Sequence, residues 1–184
     1  MIQSLVSSIL CIDIIFFSIY LVSILKLFGI PTNLSITYYY YERKYKGLGL
    51  LFPALLLLLC ASALPIWIIV TKNASAWGAN FIMLPYIVLA GLLSVAGTAR
   101  YKRRPKLIYF HYTCAIIAAI CAVIWIFFVA YRIVYIGIGI LSVLLFVALF
   151  TKTLKKCTLF WLELAAFYAI LFTLLIISIF SVNI

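Results

Sequence analysis

Charged residues are scarce in this sequence, and acidic residues are nearly absent. Only 9% of its 184 residues are charged, and Asp and Glu together number 3. Soluble domains carry about 25% charged residues, so this chain cannot cover an apolar core with a polar surface. Its one histidine, His111, excludes multi-histidine metal sites and bis-histidine haem ligation within a single chain. Since paired carboxylates and known protease motifs are also absent, we expect no enzymatic activity, metal or cofactor.

Hydrophobic residues, at 69% of the chain, predict an integral, multi-pass membrane protein of all-α class. A helix needs about 20 apolar residues to cross a hydrocarbon core of roughly 30 Å. The N-terminal run lacks signal-peptide features and is expected to remain as the first span. We predict one transmembrane domain, a bundle of six helices without a soluble domain. The predicted spans are about 4–25, 47–71, 79–99, 107–130, 133–151 and 158–182.

The fourth and fifth spans have no conventional loop between them. A single helix from Leu107 to Thr151 would be about 67 Å long at 1.5 Å per residue, more than twice the bilayer core. The chain must therefore fold back. The charge at Arg132 favours a turn at Ala130–Arg132, whereas Gly137 and Gly139 would place it a few residues later.

The net charge of +11 is distributed very unevenly over the connections. Of the basic residues, only Lys72 and Arg132 fall in the connections after spans 2 and 4. The positive-inside rule therefore predicts that these connections and both termini lie outside the cytoplasm. In a bacterial host the protein would reside in the inner or plasma membrane. We expect the cytoplasmic basic loops to contact anionic lipid headgroups rather than nucleic acid. Twelve basic residues follow spans 1, 3 and 5: Lys26, Arg43, Lys44, Lys46, Arg100, Lys102, Arg103, Arg104, Lys106, Lys152, Lys155 and Lys156. Part of the first loop is predicted to lie along the membrane surface, with the tyrosines at 38–41 at headgroup level.

Three ionisable residues fall within predicted spans, and each is a candidate ligand or proton site. Asp13 lies near the middle of span 1, either as a proton or cation site or as a neutral group bonded to a nearby serine. His111 and Glu163 lie at similar depths near the cytoplasmic ends of spans 4 and 6. One alternative is that they pair with each other, either as a structural contact or as a protonation-sensitive gate. The other is that Glu163 pairs with basic side chains such as Arg104 and Lys155 that reach in from the surface.

Small residues recur at helical spacing in spans 3 and 4. Gly91 lies beside the stripe in span 3 that begins at Ala90, and Ala118 belongs to the stripe that follows His111 in span 4. Such stripes favour close helix packing, so we predict that these faces meet and that His111 lies inside the bundle. Prolines in spans 2 and 3, such as Pro65 and Pro85, are expected to kink their helices and open space between them.

The first connection, with Pro31 through Tyr39, resembles small six-span membrane proteins of uncharacterised type whose pattern is Pro-x-x-Ile-Ser-x-Thr-Tyr-Tyr. The residues at 96–100 and His111 match a later small-residue turn and the histidine that opens the fourth span. The chain is also similar to the Frag1/DRAM-type six-span arrangement, whose first loop carries a Ser-x-Thr element but is expected outside. Neither resemblance implies an activity.

Three functions fit these observations. The first is a non-enzymatic bundle that binds, senses or transports a lipid-like or small hydrophobic ligand in its core. The second is an oligomeric channel or membrane effector in which Asp13 or Arg132 faces a shared pore. The third is a scaffold or immunity-type subunit that acts through a protein partner.

Overall fold

The computed structural model describes residues 2–73 and 78–180, and within these ranges the chain is helical and contains no strand. Short 3₁₀ turns at Leu48–Leu50, Gly78–Phe81, Tyr101–Arg103 and Tyr131–Ile133 connect the helices. The helices are α1 (Ile2–Phe28), α2 (Thr37–Lys44), α3 (Leu51–Asn73), α4 (Met83–Gly97), α5 (Pro105–Phe128), α6 (Val134–Phe150) and α7 (Leu154–Phe180).

Helices α1, α3, α5, α6 and α7 are long and apolar enough to cross a membrane. The all-α prediction is confirmed for the described residues, and these five helices suggest a multi-pass membrane protein. The predicted third span is represented by α4, which has only 15 residues. The last predicted span extends to residue 182, and its final two positions lie outside the described residues.

The turn between the fourth and fifth predicted spans falls at the charged position. Helix α5 ends at Phe128, a 3₁₀ turn covers Tyr131–Ile133, and α6 begins at Val134. Gly137 lies inside α6 and makes no turn. The placement at Ala130–Arg132 is therefore confirmed, because the alternative at the glycines would have lengthened α5 past the membrane core.

The small-residue faces of α4 and α5 meet, as predicted. A Cβ atom at Gly91 would lie 2.9 Å from Cβ of Ala118 and 3.0 Å from the carbonyl oxygen of Cys114. Only glycine permits so close an approach of the two helices. This contact places the buried face of α5, which includes His111, inside the bundle.

The first part of the connection between α1 and α3 packs against the helices of the bundle. Asn33, Leu34 and Ser35 are each no more than 5% exposed, and Tyr38 and Tyr41 of α2 are also buried. The depth of this segment at the headgroups stays a prediction, and the rings of Tyr38 and Tyr41 are covered by protein. Their hydroxyl groups have protein partners, which removes the need for an aqueous interface.

Candidate functional site

An apolar cavity of about 110 Å³ lies in the core of the bundle. Helices α3, α4, α5 and α7 form its walls, and the buried connection between α1 and α2 closes one end. Apart from the indole of Trp67, the polar side chains that line it are those of Ser35 and Glu163. The cavity is therefore an apolar chamber with a carboxylate near one end.

Glu163 is held in place by the buried connection. Its Oε2 atom accepts a hydrogen bond of 2.6 Å from the backbone N–H of Leu34. Nearby, Cys157 has non-helical backbone angles that interrupt the first turn of α7, and the N–H of Phe160 donates instead to the carbonyl of Thr32 at 3.1 Å. The connection and α7 are thus joined by two hydrogen bonds that use backbone atoms.

Glu163 forms no ion pair with any Lys or Arg side chain that the structure describes. Arg104 and Lys155, both proposed above as partners, are exposed instead. Glu163 itself is only partly exposed and lines the cavity. Its carboxylate therefore has a backbone donor but no described positive charge beside it.

His111 is fully buried and bonds to α4. Its Nδ1 atom lies 2.8 Å from the hydroxyl of Thr98, which is itself 2.6 Å from the carbonyl oxygen of Ser94. Since the threonine proton is used on that carbonyl, Nδ1 carries a proton and donates it to Thr98. Nε2 is then a buried acceptor, and it has no hydrogen-bond partner among the described residues.

The predicted contact between His111 and Glu163 is not formed. His111 uses Thr98 and Glu163 uses Leu34, and His111 is absent from the cavity lining. Similar depth does not bring the two together, because the ring of Tyr101 stacks on His111 with its centroid 4.3 Å away. His111 therefore belongs to a separate polar cluster.

This cluster connects α4 and α5 to the buried connection. The hydroxyl of Tyr101 lies 3.4 Å from that of Tyr112, which accepts a hydrogen bond of 3.2 Å from the amide of Asn33. Tyr101 lies in the 3₁₀ turn that connects α4 to α5. Burial raises its pKa, and the contact with Tyr112 and the nearby charge of Glu163 raise the pKa further. Its hydroxyl is therefore neutral near pH 7.

The sequence did not predict this cluster, although Asn33 carried one signal. Its side chain accepts from the N–H of Ile36 at 2.8 Å, as asparagine does in turns.

Asp13 occupies a third, separate position. Both of its carboxylate oxygens lie 2.8 Å from the hydroxyl of Ser62 on α3, and the residue is 2% exposed. The serine partner of Asp13 therefore comes from a neighbouring helix rather than from a position nearby in the sequence, and the charge state of Asp13 stays a prediction. Asp13 does not line the cavity, so Glu163 alone of the three candidates does.

The opposite end of the cavity contains Trp67. Its ring packs edge-on against Trp125 with centroids 5.3 Å apart, and the indole nitrogen of Trp125 donates to Thr71 at 2.7 Å. The indole nitrogen of Trp67 is buried and has no partner among the described residues.

Basic side chains from separate connections gather at one end of the bundle. Arg100 donates to the hydroxyl of Tyr38 at 2.6 Å, and the backbone N–H of Lys102 donates to Tyr39 at 2.7 Å, so the segments after α1 and α4 are adjacent. The side chain of Arg103 lies outside those described. The other predicted headgroup contacts are all exposed: Arg43, Lys44, Lys46, Arg100, Lys102, Arg104, Lys106, Lys152, Lys155 and Lys156.

Comparison of the chain with protein-family models, curated proteins and solved structures finds no match. The resemblances noted above therefore stay predictions. The function has to be argued from the cavity and from the residues around it.

Proposed function

We propose that this protein is a non-enzymatic six-span bundle that binds a lipid-like or small hydrophobic ligand in its core. The observation that carries the proposal is the apolar cavity of about 110 Å³ lined by four helices. A dry cavity of about 150 Å³ in a soluble protein binds benzene. A chamber of this size therefore suits a small apolar molecule or a segment of an alkyl chain.

A second apolar space supports access from the membrane. It has a volume of about 400 Å³ and lies between α5, α6 and α7, where exposed residues such as Ile120 and Ile138 line it. Ala119, Ala122 and Ala166 line both this groove and the core cavity. Because only alanine side chains are shared between the two spaces, small movements of α5 against α7 would connect them.

The proposed topology places the basic end in the cytoplasm and both termini outside. Helix α4 has 15 residues and spans about 22 Å at 1.5 Å per residue. The preceding 3₁₀ turn at Gly78–Phe81 adds about 2 Å per residue, so the segment approaches the thickness of the hydrocarbon core. Anionic lipid headgroups are the expected partners of the exposed basic residues.

Native mass spectrometry of the protein released from lipid nanodiscs tests the ligand proposal. We expect a monomer that retains a discrete non-protein mass. Ala166→Phe, which places a ring in the cavity wall, is expected to lose that mass. The matched control, Ala61→Phe on the exposed face of α3, is expected to keep it.

Other outcomes of this measurement contradict the proposal. A defined oligomer without bound mass favours a channel, and a bare monomer favours a subunit that acts on a protein partner. The measurement on the unmodified chain decides between these readings, so the test does not depend on how well either variant folds.

A further inference from the structure

We propose that the core cavity binds a single-chain lipophilic amine whose protonated amino group pairs with the carboxylate of Glu163. This inference rests on the proposed function, because it names the ligand class of the same cavity.

The carboxylate of Glu163 has fewer partners than its chemistry requires. An ionised carboxylate offers about four acceptor sites, and the described residues fill one of them, through the N–H of Leu34. No described Lys or Arg side chain forms an ion pair with it. A carboxylate that stays ionised in apolar surroundings needs a counter-charge. An ammonium group in the cavity would supply that charge together with three hydrogen-bond donors.

The neighbouring lining residues suit the other parts of such a ligand. Phe167 follows Glu163 by four residues on α7, so both side chains are on one helix face and both line the cavity. Aromatic faces attract ammonium groups. Ser35 also lines the cavity, and a serine hydroxyl can accept a hydrogen bond from a further N–H. Leucine and alanine side chains surround the remaining space and match an alkyl chain.

Related amphipaths fit less well. The carboxylate of a fatty acid would be repelled by Glu163. A fatty alcohol would donate one hydrogen bond and leave the negative charge unpaired. An alkyl amine, with a pKa of about 10.4 like that of lysine, is protonated at pH 7. Since the chain has a net charge of +11, the groove between α5, α6 and α7 is a better route for a cation than the basic end.

A binding assay with tritiated dodecylamine tests the proposal. The purified protein is kept in a non-ionic detergent at pH 7, and binding is measured by scintillation proximity. We expect saturable binding that unlabelled dodecylamine displaces at least tenfold more effectively than 1-dodecanol, with dodecanoate weakest. Glu163→Gln should weaken amine binding at least tenfold, because its amide keeps an acceptor for Leu34 but has no charge. Glu42→Gln, a change at a carboxylate outside the cavity, should leave binding unchanged.

The possible results separate this inference from the proposed function. If 1-dodecanol displaces the label as well as dodecylamine does, or if Glu163→Gln binds the amine normally, the amine proposal is wrong while the cavity remains a ligand site. If dodecylamine shows no saturable binding, the amine proposal fails, and the mass retained in native mass spectrometry still decides the proposed function. The order of the competing probes on the unmodified chain tests the proposal even if Glu163→Gln does not fold.

Discussion

The two acidic side chains within the long helices take their partners from distant parts of the chain. Asp13 meets Ser62 from α3, and Glu163 meets the backbone of Leu34. A polar group without a partner in an apolar medium costs several kcal/mol. These contacts therefore fix which helices can be neighbours, whereas apolar contacts alone would permit several arrangements.

Removal of the Glu163 carboxyl group is expected to destabilise the fold. Glu163→Ala leaves the buried N–H of Leu34 without an acceptor, which costs roughly 1–3 kcal/mol. Glu42→Ala is the control, because Glu42 accepts from Gly47 at 2.9 Å in an exposed turn where water can replace it. Thermal unfolding in detergent should show a lower Tm for Glu163→Ala than for the control. Equal shifts would mean that the bond to Leu34 contributes nothing.

At this scale the sequence predicted which side chains are buried better than it predicted their partners. The deep burial of Asp13 and His111 follows from their positions in apolar runs. The bond from Leu34 to Glu163 could not be foreseen, because a backbone N–H has the same chemistry in every residue. Asn33 belongs to a polar stretch that predicts exposure, and only its distant contact with Tyr112 explains its burial.

The helices themselves follow from hydropathy, and their limits lie within a few residues of the predicted spans. The break before α6 was predictable because a charge at Arg132 interrupts an apolar stretch too long for one helix. Helix α2 was not predicted as a helix. Its run of tyrosines has no apolar periodicity of its own, and the surrounding bundle decides which rings are buried.

The approach of α4 to α5 should be sensitive to a single methyl group. Gly91→Ala places a Cβ 2.9 Å from Ala118, so the helices must separate, at a cost of about 1–3 kcal/mol. Gly97→Ala on the same helix is the control, since no atom lies within 4 Å of its added Cβ. Unfolding in detergent compares the two variants. A Gly91→Ala protein as stable as the control would show that the helices do not depend on this contact.

The whole molecule is electrically asymmetric along its long helices. The basic side chains at 43–46, 100–106 and 152–156 belong to the three connections that the proposed topology assigns to one membrane face. The same arrangement leaves Lys72 and Arg132 for the opposite face. We therefore expect charge to set the orientation of the chain, whereas apolar packing and buried polar contacts set its fold.

Cysteine labelling tests the proposed topology. In a variant without the native cysteines, we expect Lys72→Cys to react with a membrane-impermeant maleimide in intact cells. Lys46→Cys, Lys106→Cys and Lys155→Cys should react only after lysis, because an odd number of crossings separates each of them from Lys72. Labelling of Lys106→Cys and Lys72→Cys from the same side would show that α4 does not cross the membrane. If Lys106→Cys is protected, reaction of Lys155→Cys in intact cells would contradict the fold-back between α5 and α6.

The pairing of the first long helix with the last constrains how the protein is made. Ser7 of α1 bonds to Ser178 of α7 at 3.0 Å, and Ser18 bonds to Tyr168 at 2.7 Å. Ribosomes add about 5–20 residues per second, so α1 waits roughly 8–30 s in the membrane before these partners on α7 have been synthesised. During that interval the hydroxyls of Ser7 and Ser18 lack these partners, although Ser7 can still donate to the carbonyl of Gln3 in its own helix. Assembly of the bundle is therefore completed only after translation has passed the final helix.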